Sequence, residues 1–359
     1  MIKVMRRLCR ILLLLAAVPL LHGCWDNKDI NHRSLPLVMG IAKQQDKYRI
    51  YLQIPSSDPQ NPQMKVVAES GRTVTEAVDR ISMNMESQVD LLHLKVILVE
   101  KHFAQEGMAD IIEGFIRARD ISPKAKLVIC NESLERFFEN MKTAIAGNQT
   151  ILCDFFDKNA GWNPSIAQTH IWETFRSIHS YTRDVIAPII QTGKDTIIEN
   201  VGSAIIKNGK MVDRINPNET LLYYAFKGAS TQGKIEVLDH ASVLIVNNTV
   251  SHHGKIVNSK PLLRSTIRLK VSVLETRGDP TMASIRQELE EIEAKRFAKL
   301  FKKMQLKEAD ILGVGQYFRT DLSRSELSHW RSVYLPKAEL QLTIKAIIQN
   351  NGNLKTTGM

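Results

Sequence analysis

The residue types best suited to covalent chemistry here are the four cysteines. Cys24 closes Leu21-His22-Gly23-Cys24, a small residue followed directly by Cys. That is the arrangement of a bacterial lipobox, in which the thiol is joined to diacylglycerol and the chain is cut on the N-terminal side of the Cys. His22 stands where Ala or Ser is more usual. Cys9 precedes the cut. Cys130 and Cys153 match no zinc spacing. One disulfide between them outside the cell, or two buried thiols, would serve equally well. His252-His253 beside Gly254 reads as a turn between strands, where adjacent side chains rarely converge on a metal. His170 and His179 are nine apart on an expected helix, hence on opposite faces. Asp154 and Asp157 read as solvated loop carboxylates. Gly313-Val314-Gly315 lacks the third glycine of a dinucleotide loop, and neither H-E-x-x-H nor G-x-S-x-G occurs. The residues therefore offer one lipidation site, Cys24, and no catalytic, metal or cofactor-binding set.

The elements that hold these residues read as mixed α and β. Leu35–Ala42 and Tyr48–Ile54 form an expected hairpin, Ser56–Gln63 a Pro-containing loop, and Val66–Glu69 a short strand. Thr73 and Glu76 suggest a capping box opening a helix with Ala77, Val78, Ile81 and Met85 inside. Leu94–Val99 reads as a central strand and Ala104–Arg119 as a helix. Lys126–Cys130 is a strand, with Asn131 capping a helix through Met141, and Asn163-Pro164 opens a helix to about Tyr181. Strands restart at Thr196–Lys207 and Lys210–Arg214 around Asn208-Gly209, a strong hairpin signal. A helix at Glu219–Lys227 precedes strands at Ile235–Leu238, Ala241–Val246 and Lys255–Val257. Leu263–Leu274 alternates as a half-buried strand. Asp279-Pro280 opens a helix to Gln305 with an inner stripe of Ile285, Leu289, Ile292, Leu300 and Met304; Ala338–Gln349 is a last strand. The expectation is a leader at 1–23 and three mixed α/β (α+β) domains, each a mixed β-sheet packed with helices. They are an N-terminal domain at 24–195, a middle domain at 196–262, and a C-terminal domain at 263–359 carrying the long helix 280–305.

Composition agrees with this picture. The chain has 359 residues, 43% apolar and 24% charged, with net charge +10. Lys3, Arg6, Arg7 and Arg10 fall in the leader, so 44 basic and 38 acidic residues remain after it. A mild positive bias suits an anionic membrane surface and gives no reason to expect nucleic acid. The apolar run Ile11–Leu21 rises about 16 Å as a helix, roughly half a bilayer core, which fits an export signal better than a membrane span.

The residues following Cys24 carry a family resemblance. Cys24-Trp25-Asp26, then Asp29-Ile30 and Leu37-Val38-Met39-Gly40-Ile41, resemble the start of the Ger(x)C family, the C-subunit lipoproteins of spore germinant receptors. Leu92-His93-Leu94-Lys95-Val96-Ile97 is similar to the family's H-x-K-x-I strand. Gly202-Ser203-Ala204-Ile205-Ile206-Lys207 with Glu219 resembles its G-x-A-x-F-K…E segment, and Asp310 to Gly315 with Trp330 its D-x-x-G-x-G…W region. Ala42-Lys43 stand where the family continues Gly-Ile-Asp, so any role of that Asp is lost, and Ile206 replaces the usual Phe. The resemblance implies a three-domain α/β protein without catalysis. It implies a lipid anchor at Cys24 on the outer face of the spore inner membrane, and assembly with A-type and B-type integral-membrane subunits in nutrient sensing. Trp25 suits the headgroup layer, with a packed Trp an equal alternative. Two rival classes are a solute-binding lipoprotein of a nutrient importer, which calls for two βα-rich lobes around a cleft, and a surface-anchored enzyme, which the missing motifs oppose.

Overall fold

The computed structural model describes residues 5–6, 33–55, 64–118, 120–144, 151–157, 163–229 and 231–350. Cys24, Trp25 and the expected loop at Ser56–Gln63 lie outside these residues.

The first sheet is built around strands buried on both faces. β1 (Arg33–Ser34) leads to β2 (Val38–Gln44), where Val38 to Ala42 are all buried, and a tight turn returns the chain as β3 (Lys47–Pro55) and β4 (Met64–Gly71). Thr73 accepts a hydrogen bond from the Glu76 amide and opens α1 (Val74–Met83); β5 (Gln88–Val89) then pairs in parallel with β1. β6 (Val96–Glu100) is followed by α2 (Lys101–Glu106) and α3 (Ala109–Ala118). Then come β7 (Lys126–Cys130), α4 (Leu134–Ala144), α5 (Ile151–Asp157) and α6 (Ile171–Ile178). β8 (Val185–Thr192), β9 (Ile198–Lys207) and β10 (Lys210–Ile215) complete the sheet. Its order is β10-β9-β8-β7-β6-β2-β3-β4. The four inner strands β2, β6, β7 and β8 are parallel, with antiparallel hairpins outside them. Parallel neighbours need crossovers, which the helices supply. Successive side chains face opposite ways, so Ile97 and Leu127 meet α1, α2, α3 and α6 while Val96, Leu98 and Val128 meet α4 and α5.

α7 (Pro217–Phe226) carries the chain into a second sheet. β11 (Ile235–Val237) edges β12 (Ala241–Val257), which forms a long hairpin with β13 (Lys260–Thr276). α8 (Met282–Lys307) and the short α9 (Arg324–Ser328) precede β14 (Glu339–Asn350), which returns parallel to β13. Ile285, Leu289, Phe297, Leu300 and Met304 of α8 enter a core with α7 and Trp330, and Ile186, Ile205 and Ile215 of the first sheet share that core.

Mixed sheets covered by helices match the expected fold class. Several details differ from the sequence reading. β8 and β9 are hydrogen-bonded neighbours, so the first sheet runs across the division expected at 195/196 and ends only at Ile215. The division expected at 262/263 falls inside β13. Where the sequence predicts one helix from Ala104, two occur, Lys101–Glu106 and Ala109–Ala118, and Gly107 adopts φ +136° between them. The helix expected from Asn163 begins only at Ile171, where Glu173 accepts from the His170 amide; Asn163 instead accepts from the Ser165 amide. Asn131 does not cap α4, since its side chain bridges Lys101 and Gln191. The two strands expected at 241–246 and 255–257 are one, so His252 and His253 lie mid-strand and not in a turn. The Asn208-Gly209 hairpin turn has both residues at positive φ, as the sequence predicts for a type I′ turn.

Candidate functional site

A dense polar cluster joins the start of β8 to the segment after α8. Glu308 ends α8 in the left-handed region, and the chain turns inward to Asp310, which is fully buried. Its Oδ1 accepts from the Val314 amide at 2.8 Å, and its Oδ2 accepts from the Gly315 amide and from Trp330 Nε1, each at 2.8 Å. Gly313 takes φ +71° to make this turn. Gly315 is needed for close packing, since a Cβ there would sit 2.6 Å from the Trp330 indole and 2.7 Å from Thr182. The spacing Asp310-x-x-Gly313-x-Gly315…Trp330 is thus a carboxylate-centred turn with a Trp closed over it.

Asp184 completes the cluster. Its amide donates to Asp310 O at 2.8 Å, and Asp310's amide donates to Asp184 Oδ2 at 2.7 Å. Arg331 grips the Asp184 carboxylate through Nε at 3.0 Å and Nη2 at 2.8 Å, and also donates to Ser180 O at 2.6 Å. Burial pushes Asp310 up to about 6 against the pull of its amide donors, and raises Asp184 against the pull of Arg331. Both carboxylates are spent on amides, an indole and a guanidinium. Such a cluster clasps two parts of a chain and leaves no oxygen placed to abstract a proton or attack a substrate.

The remaining sequence candidates do not converge. Cys24 lies outside the described residues. Cys130 and Cys153 are free, buried thiols, pushed by burial to about 12 and about 11 respectively. His252 is held by Ser265 Oγ at 2.8 Å and Phe226 O at 2.9 Å, and burial lowers its pKa; His253 is exposed. His170 and His179 flank the two ends of α6. Asp157 pairs with Lys126. Among the described residues, no group of three or more His, Cys, Asp or Glu could hold a metal ion. Gly202, at φ +122° beside a bulge, leaves no room for a Cβ against Ile215 O, and buried Glu219 accepts from the Asn216 amide and pairs with Lys303 at 3.1 Å. Asp184 could not be recognised from sequence as the partner of Asp310, because a lone Asp after Arg183 carries no motif.

A cleft of about 610 Å³ opens between α1, β5 and α3. Val78, Leu91, Ile111 and Phe115 line it, and an Arg33–Asp90 ion pair of 2.5 Å borders it.

Comparison with known proteins accounts for both halves of this framework. The N-terminal domain of spore germination proteins matches residues 26–192, and the spore germination B3/GerAC-like C-terminal domain matches residues 201–352. The chain belongs to the GerAC family of spore germination proteins. It is 24% identical over 282 residues to spore germination protein GerQC of Bacillus cereus, covering 75% of this chain and 78% of that one. It is 20% identical over 392 residues to spore germination protein KC of Bacillus subtilis (strain 168), covering 95% of each. The crystal structure of the GerBC protein superposes with a TM-score of 0.58 over 87% of this chain and 97% of that one, at 16% identity, which establishes a shared fold. The GerAC-like chain is therefore a germinant-receptor C subunit with a role in spore germination, as the Ger(x)C resemblance implied. Asp310, Trp330, Arg331 and Gly202 lie within the matched C-terminal domain, and Asp184, which Asp310 and Arg331 clasp, lies within the matched N-terminal domain.

Proposed function

We propose that this GerAC-like chain is held on the outer face of the spore inner membrane by lipid on Cys24 and acts without catalysis, by binding A-type and B-type integral-membrane receptor subunits. The observation that carries this reading is the Leu21–Cys24 lipobox followed directly by Trp25-Asp26, at the head of a chain whose family serves in germination. The buried clasp agrees with it, since the carboxylates of Asp310 and Asp184 are consumed by the fold itself. Two or more acyl chains, palmitate or similar, would confine the protein to the bilayer surface, because one chain holds only weakly. Confinement raises its effective concentration toward membrane partners, so a modest contact is occupied.

Mass spectrometry of the mature N-terminus is expected to find diacylglycerol on Cys24, and Cys24→Ala to leave an uncleaved or released chain. Co-purification with A- or B-type subunits should require the anchor. The 610 Å³ cleft favours a second reading, a solute-binding lipoprotein, because its size suits a small molecule. Calorimetry separates the two: negligible heat with amino acids or sugars supports the first, and saturable micromolar binding supports the second.

A further inference from the structure

The parallel strands β2, β6, β7 and β8 all begin at one end of the first sheet. Backbone bonds link those starts: the Lys95 and Val96 amides donate to Leu37 O, Lys126 donates to Lys95 O, and Ile171 donates to Ala125 O. β1 enters at the same end, where the Asp90 amide donates to Ser34 O. Residues 25–32 separate Arg33 from Cys24, and the nine steps between them reach at most about 32 Å fully extended. With lipid on Cys24, this end of the sheet is tethered within that reach of the bilayer.

The same end carries an aromatic and cationic face. Trp172, in the first turn of α6, is 41% exposed, and Tyr181, in the segment before β8, is 47% exposed. Arg176 lies over the Trp172 ring at 4.8 Å, and its nearest ion-pair carboxylate, Glu173, stands off at 4.0 Å. Arg183 has a buried Nε with no acceptor among the described residues. Lys227 rests on the Tyr223 ring at 4.5 Å. Desolvation, and then the charge of Arg183, hold both Arg176 and Lys227 below their ordinary values. Lys227 also donates to Tyr223 Oη at 2.8 Å, so three cations gather here with one distant ion-pair carboxylate, Glu173, at Arg176.

Exposed Trp and Tyr beside Arg and Lys suit the headgroup layer of an anionic bilayer. We propose that this end of the sheet, through Trp172, Arg176 and Tyr181, rests on anionic phospholipid headgroups, whose phosphate oxygens pair with the exposed Arg176 guanidinium. The tether alone would leave the protein free to tumble above the surface, whereas this contact fixes which face turns outward. The inference takes its geometry from the Cys24 anchor, and the two can fail separately.

The test uses the full chain extracted from membranes, with Cys24 checked by mass spectrometry. It is reconstituted into phosphatidylglycerol or phosphatidylcholine vesicles containing brominated lipid. The difference in tryptophan quenching between the native chain and Trp172→Phe isolates Trp172. Quenching is expected in phosphatidylglycerol and not in phosphatidylcholine, and 0.5 M salt should weaken it. Arg176→Ala, at an exposed position, should lower the docked-to-free ratio about fivefold. Absence of a Trp172 signal in phosphatidylglycerol overturns the proposal. So does a signal that arises only when A- or B-type subunits are present, which would make this face a protein interface. Quenching by a chain whose Cys24 bears no lipid would retain the surface and reject the anchor.

Discussion

Asp310 shows how one side chain fixes a motif. It answers three donors at once, so removing it strands the Val314 and Gly315 amides and the Trp330 indole in a buried site. Each unpaired buried donor costs about 1–3 kcal/mol. Asp310→Ala should therefore lower stability by roughly 4 kcal/mol or more in urea unfolding, while Asp310→Asn, which keeps a carbonyl acceptor, should cost less. Glu293 gives a pH-dependent case. It is buried on α8 beside Glu236, both carboxylates share Arg296 at 2.8 Å, and Glu293 Oε2 has no partner among the described residues. Burial, then Glu236, push Glu293 up to about 7, against the pull of Arg296 and Lys234. The unfolded chain releases this proton near pH ~4.3. Between the two values the folded chain binds more protons, so stability falls as pH rises from about 4 to 7 and levels off above. Glu293→Gln should flatten that dependence and raise the melting temperature at pH 8 relative to the native chain. A native-like slope in the variant would show that Glu293 titrates normally.

At the scale of elements, α8 tests how far a periodic pattern predicts burial. Ile285, Leu289, Leu300 and Met304 are buried as their spacing requires, whereas Ile292 is only half-buried and its neighbour Glu293 takes the inner position. Leu289→Asp should thus cost several kcal/mol by placing a charge in the core, and Ile292→Asp only about 1 kcal/mol. Paired thermal melts compare them directly, and equal losses would contradict this orientation. The reason for the shift is that Arg296, three residues on along the same helix, holds Glu293 and also reaches across to Glu236, a pairing between elements that no helical period encodes. The strands were legible where apolar runs were continuous, as in Val96–Glu100 and Lys126–Cys130. The Asn208-Gly209 turn was legible from its local chemistry. His252 was not: a Gly beside two His reads as a turn, yet Gly254 sits in β12 paired with Leu263, where a Cβ would crowd Tyr317 and Phe318. The family motifs could be read as a pattern, and their partners, Asp184 above all, could be found only once the chain was folded.

For the whole molecule, the first sheet and the second core are one mechanical body. β9 and β10 belong to the first sheet, yet Ile205 and Ile215 pack in the second core with α8. A chain cut after Asp195 would strip β8 of β9 and Asp184 of Asp310 and Arg331. It should fail to give a folded soluble unit by circular dichroism and gel filtration. The intact protein should unfold in one calorimetric transition; two resolved transitions would show that the halves fold independently. The Asp184–Asp310 clasp also sets a schedule. The two residues are 126 apart, and Arg331 follows later still. A chain synthesised from its N-terminus presents Asp184 long before either partner exists. Until Arg331 has emerged, Asp184 must stay in water, since an unpaired carboxylate is costly to bury. The start of β8 can then close only late, and the growing chain carries a built-in pause that lifts when its last third arrives.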